Sequence, residues 1–312
     1  MNEIRSASDN ALGAIGNTPL VRLQKVVPAG SATVYVKLEI GNPTGSYKDR
    51  MALAMIEEAE KRGDLHPGMT VIEYTGGSTG SSLAFVCAAK GYAFHVISSD
   101  AFTPAKLRTM EAFGAQLEIE PSVGGMVTPD LVPRMVARAR AMADEPDTYW
   151  TDQMNNGDSL VGYQSIGREL LLQAPRIDAF CGMVGTGGMV MGVSSVLRAA
   201  RPEARIVALE PGTSPFLSTG VAGTHHVEGA GIGFLPPLFE YTAVDEVRTI
   251  DEGQGRAMAR RLAREEGIFC GVSSGCNVVG ALQLAQELGP GHTVVTVACD
   301  TGLKYLDGDL FA

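Results

Sequence analysis

Cysteine is scarce in this chain and never paired at short spacing. Cys87, Cys181, Cys270, Cys276 and Cys299 form no CxxC unit and stand beside no histidines at zinc-finger spacing, which excludes a disulfide scaffold and a structural zinc module. Four of the five lie in apolar or small-residue runs, the setting of buried thiols in a reducing compartment, so a cytoplasmic location is expected. Positive charge is also short. Lys and Arg number 25 against 35 Asp and Glu, a net charge of -10, and the basic face that nucleic acid or an anionic membrane requires is missing. Single anions are another matter, because backbone N–H groups bind them locally. No run of about 18 apolar residues occurs, so no bilayer-spanning helix is expected. The polar opening Met1-Asn2-Glu3-Ile4-Arg5-Ser6 has no apolar run behind it and is not expected to be a secretory leader.

What is present is a 312-residue chain, 45% hydrophobic and 19% charged, ample for one large domain or two medium ones. Strands are expected over residues 34–40, 70–74, 93–98, 116–120, 179–184, 205–210 and 293–298. Helices are expected over residues 79–90, 104–113, 131–142, 159–173, 189–200, 253–266 and 278–288. Another follows residue 48, where Ala52, Met55, Ile56 and Ala59 share a face and Gly63 closes the last turn. Such alternation implies parallel sheets covered by helices on both faces, an α/β fold. The least regular stretch, residues 211–241, is rich in Gly, Pro and Thr, and a loop that long is more often functional than idle. It carries His225-His226, which reads as solvated without carboxylate or cysteine partners, and no metal is expected.

Lys48 stands in Asn42-Pro43-Thr44-Gly45-Ser46-Tyr47-Lys48-Asp49-Arg50, where a loop becomes a helix. The positive end of the helix dipole and burial both disfavour an ammonium there, and a neutral amine forms a Schiff base with an aldehyde. Alone, a lysine at a helix start is usually a solvated surface residue. Three loops accompany it. Thr75-Gly76-Gly77-Ser78-Thr79-Gly80 lies between a strand and an apolar helix, where it suits a carboxylate or serves as a plain cap. Gly185-Thr186-Gly187-Gly188 follows a strand and opens a helix, a place for a phosphate or for a close-packed turn. It is no dinucleotide fingerprint, since Val190 stands where the third glycine belongs, and no Gly-Lys-Ser/Thr follows to make a P-loop. Gly271-Val272-Ser273-Ser274-Gly275 offers serines as helix caps or as partners of a ring nitrogen. An amine with loops for a phosphate and a carboxylate points to pyridoxal 5'-phosphate.

These segments, in this order and over nearly the whole chain, resemble the cysteine synthase and cystathionine β-synthase family. Ile15-Gly16-Asn17-Thr18-Pro19-Leu20-Val21 is similar to the family's opening and Asn42 to Arg50 to its lysine segment. Thr75 to Gly80 resembles its substrate loop TSGNTG, Gly185 to Gly188 its phosphate loop, and Asp152-Gln153-Met154-Asn155-Asn156 its DQFNN segment. Glu266-Gly267-Ile268-Phe269-Cys270-Gly271-Val272-Ser273-Ser274-Gly275 and Cys299-Asp300 are similar to the B-type cysteine synthases. The resemblance implies the pyridoxal-phosphate fold type II (tryptophan synthase β-like), an α/β architecture of two three-layer αβα domains with mostly parallel sheets. Residues 1–40 and 151–312 would form a large cofactor-binding domain and residues 41–150 a small mobile substrate domain, with the cofactor in the cleft. Lys48 would carry the cofactor and act as general base. Gly185, Thr186, Gly187, Gly188 and Met189 would cradle its phosphate and Ser273 would face the pyridine nitrogen. Thr75, Gly76, Ser78, Thr79 and Gln153 would surround the substrate carboxylate and the cofactor's 3-oxygen.

The chain departs from the family pattern at three positions. Gly76 replaces a serine, which removes a contact and gains room; Ser78 replaces an asparagine; Met189 replaces a threonine, so a phosphate hydroxyl is lost. Each missing hydrogen bond to a charged group costs about 1.5–3 kcal/mol unless water or a neighbour replaces it. The implied reaction is β-replacement on O-acetyl-L-serine, or a similar activated serine, with sulfide to give L-cysteine through an aminoacrylate. A β-eliminating lyase or dehydratase of a hydroxy- or β-substituted amino acid is the alternative that Gly76 and Ser78 keep open. A non-catalytic relative would have no need of the Lys48 amine, and a nicotinamide oxidoreductase is set back by Val190. By resemblance a homodimer is expected, with an amino acid and sulfide or another nucleophile as small-molecule partners, and neither nucleic acid nor membrane.

Overall fold

The computed structural model describes residues 7–126, 128 and 130–312; residues 1–6, read above for a leader, lie outside them. The strands are β1 (Leu20–Arg22), β2 (Thr33–Leu38), β3 (Thr70–Tyr74), β4 (Ala93–Ser99), β5 (Gln116–Glu120), β6 (Thr148–Trp150), β7 (Ala179–Met183), β8 (Arg205–Pro211), β9 (Glu246–Ile250) and β10 (Thr293–Ala298). The helices are α1 (Lys48–Arg62), α2 (Ser78–Lys90), α3 (Pro104–Ala112), α4 (Leu131–Ala143), α5 (Asp158–Gln173), α6 (Gly188–Ala200), α7 (Phe216–Thr219), α8 (Glu252–Arg261) and α9 (Val272–Leu288). None of them is long and apolar enough to cross a membrane.

The chain divides into two compact units. Among the described residues, the first takes 7–17, Asn42–Thr44 and Lys48–Thr151; the second takes Thr18–Gly41, Gly45–Tyr47 and Asp152–Ala312. In the first, four parallel strands lie in the order β5-β4-β3-β6. Ile72 and Ile97 from its two central strands pack with Leu131, Met135, Ala139 and Met142, the inward stripe of α4. On the edge strand β5 the half-buried Glu118 is gripped by Arg138 of α4 at 2.6 and 3.0 Å. Such charges discourage a further strand from adding there.

The second unit holds six strands in the order β1-β2-β10-β7-β8-β9, parallel except for the β1–β2 pair. Its central strands are buried on both faces. Every residue of β7 (AFCGM) and β10 (TVVTVA) is buried, as expected of parallel strands sandwiched between helix layers. Asn277 of α9 ties the sheet together: its Oδ1 accepts the Met183 N–H at 2.7 Å and its Nδ2 donates to the Val297 carbonyl at 2.8 Å.

Two expectations shift. The helix expected at residues 278–288 begins at Val272, so the Gly271-to-Gly275 segment is a helix cap and first turn rather than a loop. The helix expected at residues 253–266 ends at Arg261 and relaxes into a π-helical turn, Leu262–Glu266. The widened turn delivers the Glu266 carboxylate to the N–H groups of Gln24, Lys25 and Val26 at 3.0, 2.5 and 2.9 Å. The short β1, β6 and β9 were not expected.

Candidate active site

Lys48 is the first residue of α1 and is only 9% exposed. Asp49 holds the turn before it: the carboxylate accepts the Thr44 N–H at 2.8 Å and the Thr44 hydroxyl at 2.5 Å. Asn42 fixes the turn's other side by accepting the Gly16 N–H at 2.9 Å. The three residues before the lysine belong to the second unit. There Tyr47 donates its N–H to the Cys299 carbonyl at 3.0 Å and its ring lies 5.3 Å from that of Tyr163. Burial, with Cys299 and Asp300 nearby, holds the Tyr47 phenol well above its usual pKa, so it is neutral.

The Thr75-to-Gly80 loop of the first unit follows β3. Thr75 carries the ladder one step further, donating its N–H to the Ile97 carbonyl at 2.9 Å, and its hydroxyl accepts the Gly77 N–H at 3.2 Å. Ser78 opens α2, with Thr79 buried behind it. Thr44 and Ser82 hydroxyls lie 3.3 Å apart, so the lysine segment and the first turn of α2 are brought together. Gly76 has a reason to be glycine: a β-carbon there would fall 2.0, 2.1 and 2.3 Å from three ring atoms of Phe102. The room expected from losing the family's serine is therefore filled by that ring.

In the second unit, Gly185, Thr186 and Gly187 lead from β7 into α6, which starts at Gly188. Gly187 has φ +87°, a left-handed conformation open to glycine. Gly185 lies so close to the 229–230 backbone that a β-carbon would sit 2.0 Å from the Gly229 carbonyl oxygen. The N–H groups of Gly185, Thr186, Gly187 and Gly188 donate to no other described group. They form a cluster of unused donors at the positive end of a 13-residue helix. The Met189 side chain turns away, its methyl carbon 2.7 Å from where Gly182 of β7 would carry a β-carbon. What Met189 can offer the loop is its backbone N–H.

Ser273 stands in the first turn of α9, buried, and its hydroxyl bonds to no other described group. The neighbouring Ser274 hydroxyl is already used, accepting the Cys299 N–H at 2.8 Å. Gln153 is buried in the turn before α5, which forms as Asn155 and Asn156 donate their N–H groups to the Asp152 carbonyl at 3.0 and 2.9 Å.

Several positioning residues escaped the sequence reading. Asn277 carried a signal, an amide inside an otherwise apolar helical run. His225 carried one too, but was read as solvated. Its Nε2 donates to the Gly231 carbonyl at 2.8 Å and its Nδ1 accepts the Val227 N–H at 3.2 Å, which folds the turn that packs on Gly185. His226 is exposed and faces Glu252 at 3.4 Å, and among the described residues no three His, Cys, Asp or Glu converge as metal ligands. All five cysteines are buried and none is in a disulfide. Burial pushes Cys87, Cys181 and Cys276 up to about 12 and Cys270 higher still, so these four are protonated and unreactive at neutral pH.

Residues 11–300 match the model of a family described as pyridoxal-phosphate dependent enzymes. The chain belongs to that family. It is 41% identical over 307 residues to a cysteine synthase of Staphylococcus aureus, covering 97% of each chain. Among solved structures it resembles an O-ureido-L-serine synthase at a TM-score of 0.92 and 36% identity, covering 98% of this chain and 96% of that one. It also resembles O-acetyl serine sulfhydrylase isoform 3 of Entamoeba histolytica at a TM-score of 0.92 and 30% identity, covering 100% of this chain and 94% of that one. The architecture is fold type II of the pyridoxal-phosphate enzymes. The residues present fit that cofactor. A backbone cradle with unused donors stands at a helix N-terminus, a second helix N-terminus presents a hydroxyl, and a buried lysine opens a third helix.

Proposed function

We propose that this protein makes L-cysteine by β-replacement, exchanging the acetate of O-acetyl-L-serine, or the leaving group of a similarly activated serine, for sulfide. The observation that carries this is the buried Lys48 at the start of α1, in a chain 41% identical over 97% of its length to a cysteine synthase. Bound pyridoxal phosphate supplies an aldehyde that holds an amine and a ring that takes up electron density from the α-carbon. The remaining work falls to the chain. Nζ of Lys48 would hold the cofactor's aldehyde and, as a free amine, would accept the substrate's α-proton. The N–H groups from Gly185 to Met189 hold the phosphate. Ser273 would give the ring nitrogen a neutral hydroxyl partner rather than a carboxylate. Thr75, Ser78, Thr79, Gln153 and the Gly76 backbone orient the substrate carboxylate, so that the α-proton faces the amine.

The unit built on residues 48–151 acts as the mobile substrate domain and the one built on residues 18–41 and 152–312 as the cofactor-binding domain, in a cytoplasmic homodimer. The test is direct. Cofactor-loaded protein given O-acetyl-L-serine and sulfide should yield cysteine and acetate. Pyruvate and ammonia released at the same rate with sulfide omitted would instead identify a β-eliminating lyase. A second reading, a different nucleophile at the same β-carbon, is favoured by the likeness to the O-ureido-L-serine synthase and by the Gly76–Phe102 exchange. It predicts faster turnover with another nucleophile than with sulfide.

A further inference from the structure

The sequence leaves the phosphate loop one hydroxyl short, because Met189 stands where the family carries a threonine. The structure offers a replacement from a different helix. α5 and α6 pack in parallel, side by side. A β-carbon on Gly188 would lie 3.1 Å from Ser159 Oγ; one on Gly192 would lie 2.7 Å from the Tyr163 β-carbon; one on Gly167 would lie 2.8 Å from the Val196 β-carbon. The contacts advance in step along both helices, so the two N-termini end at the same level. Parallel dipoles held this close repel, and an anion at their shared positive end relieves that repulsion.

Ser159 is at that end. It is 1% exposed, and its hydroxyl has no hydrogen-bond partner among the described residues. The other serines of the pair behave differently. Ser165, Ser194 and Ser195 each return their hydroxyl to the carbonyl three residues back, at 2.5, 3.0 and 2.9 Å. Ser159 makes no such bond, although a buried hydroxyl left unpaired is unfavourable. Its neighbour across the helix pair is Gly188, the last residue of the glycine loop.

We propose, resting on the cofactor assignment above, that the Ser159 hydroxyl donates to the phosphate of bound pyridoxal phosphate. The α5–α6 pair then forms one composite phosphate site. α6 supplies backbone N–H groups, α5 supplies the hydroxyl that Met189 lacks, and the glycines at 167, 188 and 192 permit the close helix approach that brings the two together.

The experiment compares apo-protein binding of pyridoxal phosphate with that of pyridoxal, which has the aldehyde and ring but no phosphate. Ser159→Ala should weaken pyridoxal phosphate by roughly tenfold or more, the loss expected for a hydrogen bond to a charged group. Pyridoxal affinity and the melting temperature of the apo-protein should stay unchanged. Adding Met189→Thr to Ser159→Ala should restore part of the loss. If Ser159→Ala does not fold, Ser159→Cys keeps the shape with a poorer donor and should weaken pyridoxal phosphate alone, by a smaller factor. Unchanged affinity for pyridoxal phosphate, or equal weakening of both ligands, would overturn the proposal. Cysteine formation plays no part in the readout, so a failure here leaves the proposed reaction standing. A wild-type protein that takes up no pyridoxal phosphate would sink the cofactor assignment as well.

Discussion

The two loops proposed to hold an anion in this protein are built differently. The phosphate loop of the second unit is enclosed mainly by backbone at Gly185 and Gly187. A β-carbon on Gly185 would strike the Gly229 carbonyl, and one on Gly187 would approach the Phe239 nitrogen to 3.2 Å. The substrate loop of the first unit is enclosed by side chains. A β-carbon on Gly76 would meet the Phe102 ring, and one on Gly80 would meet the Met110 thioether at 2.6 Å. Backbone walls cannot move without unfolding what carries them, whereas a ring can rotate or be exchanged in one substitution. With the proposed roles, cofactor recognition would be fixed by the fold and substrate recognition left adjustable. The chain's two departures in the substrate loop, Gly76 and Ser78, fall on the adjustable side. Its departure in the phosphate loop, Met189, leaves the backbone cradle intact.

The amine lies outside this contrast, and its loss should have the largest effect. Lys48→Ala should lower turnover by about 10²–10⁴-fold, the contribution typical of a positioned general base, or more if the covalent role is lost as well. Single-turnover assays with added pyridoxal phosphate measure it. Next comes Gly185→Ala. With only backbone to push against, it should cost about 1–3 kcal/mol of stability, lower cofactor affinity, and resist rescue by trimming any nearby side chain. Gly76→Ser should cost a comparable amount by itself but far less in a Phe102→Ala background. A double-mutant cycle by chemical denaturation should return a coupling of about 1 kcal/mol or more. Additive costs at that pair would break the comparison.

The smallest effect is on the frame beneath the rigid loops. The Tyr305 ring lies against Gly271, its hydroxyl donates to Asp300 at 2.8 Å, and burial with the Asp300 charge holds its phenol well above 10.0. The Tyr47 phenol is raised for similar reasons. The unfolded chain releases these protons near pH 10 while the folded chain keeps them. Their stabilisation is therefore complete below pH 10 and declines above it, by at most about 1.4 kcal/mol per pH unit for each phenol. Denaturation midpoints between pH 8 and pH 11 should show the decline, and Tyr305→Phe should make it shallower.

Much of this was legible in the sequence because the signals were local. Strands β3 and β10 stood out through apolar runs bounded by turns, and the lysine segment and glycine loops through residue types whose chemistry is specific. What escaped was set by tertiary context. The first turn of α9 looked like a Gly/Ser loop because its stability comes from Ser274 and Asn277 gripping β10 and β7. β1 and β6 are three residues each, too short to show a period. The room expected at Gly76 was wrong because Phe102 lies 26 positions away in sequence and only folding lays it on the loop. Ser159 gave no signal, since nothing in its neighbours reveals that α5 begins beside the glycine loop.

The central claim is that residue 48 bears the cofactor. Protein reconstituted with pyridoxal phosphate, reduced with borohydride and digested should yield one pyridoxyl-labelled peptide, with the label on Lys48. Label on another lysine, or on none, would contradict the account.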